Sequence, residues 1–218
     1  MTKVIIIDYG SGNIKSVYNA IKEVTRDKVC EIKVSSSVKD IKASSHIILP
    51  GVGAFNPCLN GLKKKKIKKH LEEMVLEKKR PFLGICIGMQ MLATKSFENG
   101  EFLGLNWIEG EVKKINTHQK KLKIPHMGWN TLNFQKETSF TKRLLKKLKF
   151  DNFMEISAYF VHSYNFKNRH KNEKIITTTY GQEITAMISK DNIIGTQFHP
   201  EKSHKFGLAF LKTFLEEV

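Results

Sequence analysis

Short apolar runs alternate with segments of helical spacing in the first half of the chain. Residues 4–7 and 47–49 are continuous apolar runs, which are typical of strands buried on both faces of a sheet. Between them, apolar residues recur at intervals of three and four, as on one face of a helix; they are Ile14, Val17, Tyr18, Ile21 and Val24. Because strands and helices alternate, the pattern predicts an α/β fold with a largely parallel central sheet.

The second half of the chain is richer in strand-like runs. The candidate strands are residues 107–115, 130–134, 159–163, 174–179, 184–188 and 193–197. Asp191 and Asn192, between the last two runs, predict a hairpin turn. A final helix is predicted from one apolar face, formed by Phe206, Phe210, Leu211 and Phe214.

A lysine-rich segment at residues 63–70 lies within another helical pattern. The stripe predicted to be buried consists of Leu59, Leu62, Ile67, Leu71, Met74 and Val75. The formal net charge of the chain is +16, with 37 basic residues. Only four of them are arginines, the residue that proteins favour for clamping phosphates and reading bases. We therefore interpret the lysines as a solvated helix face and expect no nucleic-acid partner.

Composition indicates one globular domain over residues 1–218. The chain is 40% hydrophobic and 27% charged, and no apolar run approaches the roughly 18–20 residues of a membrane span. Its first residues have strand character and do not resemble a signal peptide. The three cysteines, Cys30, Cys58 and Cys86, are odd in number and lack metal-site spacing. They predict a protein of the reducing cytoplasm without disulfides or a bound metal, and we expect no association with membranes.

The strongest chemical motif is Gly84-Ile85-Cys86-Ile87-Gly88. It follows an apolar run and precedes Met89, Met91 and Leu92, whose spacing is helical. A Gly-x-Cys-x-Gly sequence between a strand and a helix is typical of a nucleophile elbow with cysteine in place of serine. The elbow exposes the sulfur at a helix N-terminus, where the helix dipole favours a thiolate.

A base and an orienting carboxylate for this thiolate are found near the C-terminus. His199 and Glu201 are two residues apart, directly after a predicted strand, and Pro200 restricts the backbone between them. We expect His199 to face Cys86 while Glu201 holds the imidazole in one tautomer and orientation.

The predicted oxyanion hole follows the strand at residues 47–49. The backbone amides of Val52 and Gly53, together with the amide of Ile87 after the nucleophile, can stabilise the oxygen of a tetrahedral intermediate. In parallel sheets the carboxyl ends of the strands share one edge, so these turns should meet in one crevice. The set predicts acyl transfer through a thioester, a reaction that requires no cofactor.

With these motifs the chain resembles the class I glutamine amidotransferases. Residues 84–90 and 198–201 are similar to that family's nucleophile and His-x-Glu motifs. Further segments resemble the glutaminase subunits of imidazole glycerol phosphate synthase or close paralogues; they are residues 8–13, 50–55, 125–130, 159–164 and 197–203. The resemblance implies a three-layer fold with a largely parallel central sheet and an added antiparallel strand region.

The resemblance also implies a role for individual residues. Cys86, His199 and Glu201 would form the catalytic triad. L-glutamine would be held by Gly53, Gln90, Glu98, His162, Ser163 and Tyr164. The residues expected to face a partner and to gate ammonia transfer are Asn13, Trp129, Asn130 and Tyr159. Control of the reaction by a peptide flip within residues 51–53 is a further expectation.

The partner implied by the resemblance is a HisF-like (β/α)8 cyclase subunit, which would form a heterodimer and use the ammonia in histidine biosynthesis. A sugar amidotransferase of surface-polysaccharide biosynthesis is the alternative acceptor, because both would use glutamine identically. A non-catalytic or redox cysteine module of similar fold is a third hypothesis, against which His199 and Glu201 argue. The sequence departs from the family at Ile87, where leucine is usual, and in the polar stretch 116–123.

Overall fold

The computed structural model describes residues 1–117, 122–148 and 155–217. The helices are α1 (Ile14–Val24), α2 (Val38–Ala43), α3 (Phe55–Lys64), α4 (Lys68–Glu72), α5 (Ile87–Gln90), α6 (Ser139–Leu148) and α7 (His204–Phe214). The strands of the first half are β1 (Thr2–Ile7), β2 (Cys30–Ser35), β3 (His46–Gly51), β4 (Phe82–Cys86), β5 (Lys95–Ser96), β6 (Phe102–Leu103) and β7 (Gly110–Lys114). Those of the second half are β8 (His126–Thr131), β9 (Asn133–Phe134), β10 (Ser157–His162), β11 (Tyr164–Asn168), β12 (Lys174–Tyr180), β13 (Gln182–Lys190) and β14 (Ile193–Thr196).

In the part of the chain that the structure describes, the central sheet has eight strands in the order β2-β1-β3-β4-β14-β13-β12-β9. Its first five strands are parallel, which confirms the predicted parallel sheet. The apolar runs of β1 and β3 are buried on both faces, because helices cover the sheet on either side. The antiparallel region is also confirmed, since β13, β12 and β9 continue the sheet in alternating directions.

Two smaller sheets lie outside the central one. Strands β8 and β10 form an antiparallel ribbon, and β11, β7, β5 and β6 form a four-stranded sheet. The predicted turn at Asp191 and Asn192 joins β13 to β14, and Asp191 adopts a left-handed backbone there with φ of 51°. The ribbon matters for the site, because β10 ends beside the cavity described below.

Several predicted strand boundaries were wrong. The run at residues 130–134 is divided between β8 and β9, which belong to different sheets. The run at 107–115 contains only β7 as a strand, because Trp107 and Ile108 are buried in the turn before it. The polar or amphipathic elements β2, β11 and α6 lack a long apolar run and were not predicted. Of the polar stretch 116–123, residues 118–121 lie outside the described part of the chain.

The lysine-rich pattern forms two short α-helices instead of one, and the second continues into a π-helical turn at Glu73–Glu77. All six stripe residues are buried, as predicted. However, Leu62 and Ile67 are five positions apart, a spacing that a continuous helix cannot bring onto one face. Lys66 takes a left-handed backbone with φ of 55° between α3 and α4, and this break restores the register.

One buried apolar cluster connects the two halves of the chain. It extends from Val4 in β1 to Phe214 in α7, and the predicted face of α7 is part of it. In the described residues, no helix is long and apolar enough to cross a bilayer. The carboxyl ends of β1, β3, β4 and β14 lie along the same edge of the sheet, where the four motif turns begin.

Candidate active site

Cys86 occupies a strained elbow between β4 and α5. Its backbone has φ of 54° and ψ of −110°, a combination that a residue with a side chain adopts only when the surrounding structure imposes it. Gly84 and Gly88 permit the close approach of the flanking elements. A Cβ on Gly88 would lie 1.9 Å from the carbonyl oxygen of Leu49, and a Cβ on Gly84 would lie 2.6 Å from that of Gly88.

The helix after the elbow is shorter than the sequence pattern predicts. Helix α5 ends at Gln90, after four residues, and Met91 and Leu92 belong to the following turns. A single turn aligns few peptide dipoles, so its dipole alone gives little stabilisation to a thiolate. Hydrogen-bond donors and positive charge near the sulfur are therefore more important than the helix dipole for stabilising a thiolate at Cys86.

His199 and Glu201 are brought together as predicted. The Nδ1 atom of His199 lies 2.8 Å from Oε1 of Glu201, and both side chains are 1% exposed. Asn13 donates a hydrogen bond of 3.3 Å to the same carboxylate oxygen. Because the carboxylate accepts from Nδ1, Nε2 is the nitrogen available to the nucleophile and substrate.

The surroundings of His199 favour its protonated form. Burial acts against the charge, but interactions with the Cys86 sulfur and with the Glu201 carboxylate outweigh it and raise the pKa of His199 to about 10. Nε2 of His199 has no hydrogen-bond partner among the described residues, and His199 and Cys86 line the same cavity. The arrangement suits a thiolate paired with an imidazolium.

The loop predicted to supply the oxyanion hole is fixed through its carbonyl groups. Ser11 donates a hydrogen bond of 2.7 Å from Oγ to the carbonyl oxygen of Val52. The Sγ atom of Cys58 lies 3.5 Å from the same oxygen. Tyr9 donates from its hydroxyl to the carbonyl of Pro50 at 2.6 Å. Burial, reinforced by the nearby Cys58, raises the pKa of Tyr9 well above its ordinary value, so that the phenol remains a donor.

A cavity of about 260 Å³ opens above the elbow. All eight residues predicted to bind glutamine or form the oxyanion hole lie on its wall. The lining consists of Val52, Gly53, Cys86, Ile87, Gln90, Glu98, Pro125, Val161, His162, Ser163, Tyr164 and His199. These residues come from six separated parts of the chain, as the predicted convergence of the turns requires.

Gln90 and Glu98 offer acceptors to this cavity. Gln90 is 1% exposed, and its Oε1 atom has no hydrogen-bond partner among the described residues. Glu98 receives a hydrogen bond of 2.7 Å from the backbone amide of Phe55. Burial raises the pKa of Glu98, and this backbone hydrogen bond partly offsets the effect. Acceptors of these types suit an ammonium group.

Both ring nitrogens of His162 already take part in hydrogen bonds with protein groups. Its Nδ1 lies 2.8 Å from the carbonyl oxygen of Tyr164, and its Nε2 lies 2.9 Å from Nδ1 of His126. Burial lowers the pKa of His162 to about 3 and that of His126 to about 4. His162 therefore lines the cavity as predicted, but glutamine contacts from this segment must come from its backbone or from its neighbours.

The four residues predicted to face a partner are not equivalent. Trp129 is 47% exposed, stacks on the ring of His204 at 4.9 Å and contacts Tyr159 edge to face. Asn130 donates hydrogen bonds to His126 and to the carbonyl of Thr179. Asn13 differs from these, because its amide contacts the Glu201 carboxylate and so reaches the triad.

Sequence reasoning did not assign roles to Tyr9, Ser11, Cys58 or Gln197, all of which contact the site. Tyr9 and Ser11 lie in a segment that resembles the family, but nothing in their spacing shows that they contact the loop after β3. Gln197 lies two residues before His199, which begins the His-x-Glu motif. Its amide lies 3.7 Å from the Cys86 sulfur, a contact that only the folded chain reveals.

Comparisons with known proteins agree on one family. The model of the class I glutamine amidotransferase family matches residues 5–218. The imidazole glycerol phosphate synthase subunit HisH of Pelagibacter ubique is 43% identical over 97% of this chain and 98% of its own length. The protein of the same name from Rhodospirillum rubrum is 42% identical over 98% of each chain.

Solved structures support the fold. PurLQS from Thermotoga maritima superimposes with a TM-score of 0.70 and 16% identity, covering 98% of this chain and 97% of the other. A glutamine amidotransferase from the same organism gives a TM-score of 0.62 with 19% identity over 92% of this chain and 76% of its own. At these identities the likeness concerns architecture alone.

Proposed function

The chain belongs to the class I glutamine amidotransferase family, and from this premise we propose that it is the glutaminase subunit of an imidazole glycerol phosphate synthase. It hydrolyses L-glutamine to glutamate and passes the ammonia to a synthase subunit in histidine biosynthesis. The single observation that carries the chemical part is the cavity that joins Cys86 and the buried His199–Glu201 pair. The pathway is supported by relatives that are named as synthase subunits and that match this chain over nearly their whole length.

The first half of the reaction forms a thioester. The Cys86 thiolate attacks the side-chain carboxamide of glutamine, and the oxyanion is stabilised by the amides of Ile87, Val52 and Gly53. Removal of one such donor typically costs about 3–4 kcal/mol of transition-state stabilisation. His199 donates its proton to the departing nitrogen, which leaves as ammonia. The Glu201 carboxylate keeps the imidazole oriented throughout.

The second half releases glutamate. Neutral His199 takes a proton from water, and the oxygen attacks the thioester carbon. The carbon–sulfur bond breaks, so the thiolate and the imidazolium are restored together. Gln90 and Glu98 are proposed to hold the α-amino group of glutamine, since both residues line the same cavity and carry acceptor oxygens.

The partner is proposed to be a (β/α)8 cyclase subunit that receives ammonia from the cavity. Trp129 and Met127, which are 47% and 66% exposed on β8, give the ribbon an apolar outer surface suited to contact with a protein. The alternative acceptor, a sugar amidotransferase, finds no support in the names of the compared relatives. The free cysteines of the chain fit the reducing cytoplasm, where this pathway would operate.

Reconstitution of the synthase provides the test. Glutamate formation should be slow for the pure chain and should rise strongly when the cyclase subunit and its phosphoribulosyl-formimino substrate are added. Cys86→Ala should abolish glutamine-dependent synthesis while added ammonium salts still support it. The glutamine analogue diazo-oxo-norleucine should label Cys86. Absence of both labelling and glutamate formation in the complex would rule out the glutaminase, and high turnover by the lone chain would rule out the coupling.

A further inference from the structure

Gln197 is completely buried between the nucleophile and the glutamine-binding wall. The residue is 0% exposed and lies directly after β14, two residues before His199. Its amide nitrogen lies 3.7 Å from Sγ of Cys86, within hydrogen-bond distance for a sulfur acceptor. Its amide oxygen lies 2.8 Å from Nε2 of Gln90. A buried amide with both ends engaged has a defined orientation.

The hydrogen bonds around Gln90 fix that orientation. Nε2 of Gln90 also donates to the backbone carbonyl of Tyr164 at 3.2 Å, and a carbonyl oxygen can only accept. The nitrogen of Gln90 is therefore assigned, and the atom of Gln197 that faces it must be the oxygen. It follows that the NH₂ group of Gln197 points to the Cys86 sulfur.

We propose that Gln197 is a further catalytic residue, whose amide donates a hydrogen bond to the Cys86 sulfur and favours its ionised form. This assignment rests on the proposed glutaminase function and adds a hydrogen-bond donor on the nucleophile to the electrostatic influence of His199, whose Nε2 has no hydrogen-bond partner among the described residues. The donor requires no partner protein, because every contact that orients it lies within this chain.

The donor acts most strongly when the sulfur carries charge. Hydrogen bonds to charged groups are roughly twice as strong as those between neutral groups. The sulfur is charged before attack on glutamine, and it becomes charged again when the carbon–sulfur bond of the thioester breaks. A thiolate stabilised in this way attacks somewhat more weakly but leaves faster, so the main benefit falls on hydrolysis of the thioester.

Other groups near the sulfur also influence its charge. Among the described residues, the titratable groups that line the cavity with Cys86 or interact with it electrostatically are His199, His162, Tyr164, Glu98, Tyr9 and Cys58, and Glu201 acts through His199. A test must hold these groups constant, which a substitution confined to Gln197 does.

Alkylation of Cys86 by iodoacetamide tests the proposal on the isolated full-length chain. The rate is followed from pH 5 to 10, and modification of Cys86 is separated from that of Cys30 and Cys58 by peptide mass spectrometry. Gln197→Met removes the donor without adding charge. The midpoint of its pH profile should rise by about one pH unit, which corresponds to roughly tenfold less thiolate below the midpoint. Gln197→Glu should raise the midpoint further.

Thr196→Val is the matched control. Thr196 is the preceding buried residue, and its hydroxyl has no hydrogen-bond partner among the described residues. The control should keep the wild-type midpoint. A wild-type midpoint in Gln197→Met would overturn the proposal, as would an equal shift in Thr196→Val.

A measurement on the wild-type chain covers the case in which the variants do not fold. With ¹⁵N-labelled glutamine, the side-chain amide protons of Gln197 should shift when Cys86 is titrated or alkylated, and unmoved signals would contradict the hydrogen bond. Neither experiment uses glutamine as a substrate, and neither requires a partner subunit. If the reconstitution described above fails, the alkylation and NMR results still decide the role of Gln197. If those two experiments fail, the reconstitution still decides the glutaminase function.

Discussion

Two histidines on the wall of one cavity have pKa values shifted in opposite directions. His199, in the catalytic corner formed with Cys86 and Glu201, has its pKa raised to about 10. His162, in the β8–β10 ribbon, has its pKa lowered to about 3. Both rings are buried, with exposures of 1% and 6%. Burial alone therefore does not decide which histidine carries a proton.

The partners of each ring explain the difference. His199 lies between a carboxylate at 2.8 Å and the nucleophile sulfur, both of which stabilise an imidazolium. His162 has neutral partners. Because the Tyr164 carbonyl accepts from its Nδ1, its Nε2 must accept from Nδ1 of His126, whose Nε2 in turn accepts from Asn130. This chain of hydrogen bonds fixes one neutral tautomer for each ring. The ribbon histidines therefore form part of the cavity wall, whereas proton transfer is left to His199.

The largest expected effect comes from removing the carboxylate that distinguishes the corner. In Glu201→Gln, one of the two interactions that oppose the effect of burial is lost, so the pKa of His199 falls and its ring loses the carboxylate that orients it. Glutaminase activity of the reconstituted enzyme should decrease roughly 10²–10⁴-fold. Glu109→Gln, the same change at a carboxylate paired on the surface with Arg169, should leave activity unchanged. Retention of more than a tenth of the activity in Glu201→Gln would contradict the assigned role.

Stability at alkaline pH gives an independent readout of the same substitution. A histidine with a raised folded-state pKa stabilises the fold fully below its unfolded pKa of about 6.5, and that contribution is lost as pH rises toward 10. The urea midpoint of the wild type should therefore fall between pH 7 and pH 10. Glu201→Gln should show a smaller fall, and an unchanged fall would mean that Glu201 does not hold the proton on His199.

The two regions also differ in how far the sequence could predict them. Cys86, His199 and Glu201 lie in short motifs whose spacing and turn residues indicate their chemistry directly. Parallel strands bring such motifs to one edge of a sheet, so their meeting was predictable. The continuous apolar runs of β1 and β3 revealed the sheet for the same reason, since they are buried on both faces.

The remaining features depend on contacts between distant segments. The pairing of His126 with His162 spans 36 positions, and that of Gln197 with Cys86 spans 111. Neither has a periodic or local signature. That both ring nitrogens of His162 are hydrogen-bonded to protein groups could not be inferred from its place in a predicted glutamine-binding segment. Strand β2 and helix α6 were missed because mixed polar sequences become strand or helix here through packing on the core.

The neutral state of the ribbon histidines can be tested through the stability of the fold at acid pH. The expected effect is smaller than that of Glu201→Gln on activity. His126 and His162 have lowered pKa values, so the unfolded chain binds protons below pH 6.5 that the folded chain binds only near pH 4 and below. The wild type should therefore lose stability as pH falls from 7 to 4.5. His126→Phe removes one of these groups, and a phenyl ring suits a position stacked between Phe160 and Tyr180.

The expected result for His126→Phe is a lower urea midpoint at pH 7 but a smaller drop on acidification. The loss at pH 7 should be about 1–3 kcal/mol, because Nε2 of His162 no longer receives a hydrogen bond. His46, whose pKa is also lowered to about 4, lies elsewhere and contributes equally to both proteins. A drop as large as that of the wild type would show that the ribbon histidines do not resist protonation.

The smallest effect on the isolated chain is expected at Trp129, which tests whether the outer face of the ribbon is independent of the corner. The side chain is 47% exposed and contacts His204 and Tyr159. Trp129→Ala should leave the alkylation profile of Cys86 unchanged, because the rings that Trp129 contacts, those of Tyr159 and His204, do not belong to the triad. Binding of the cyclase subunit, measured by calorimetry, should weaken by tenfold or more, because truncation of a tryptophan anchor at an interface commonly costs at least about 2 kcal/mol of binding free energy.

Val34→Ala, at a 41% exposed residue on edge strand β2, is the control and should bind the cyclase subunit normally. Unchanged binding by Trp129→Ala would remove the ribbon from the interface, whereas a shifted alkylation profile would show that the two regions are coupled within the lone chain.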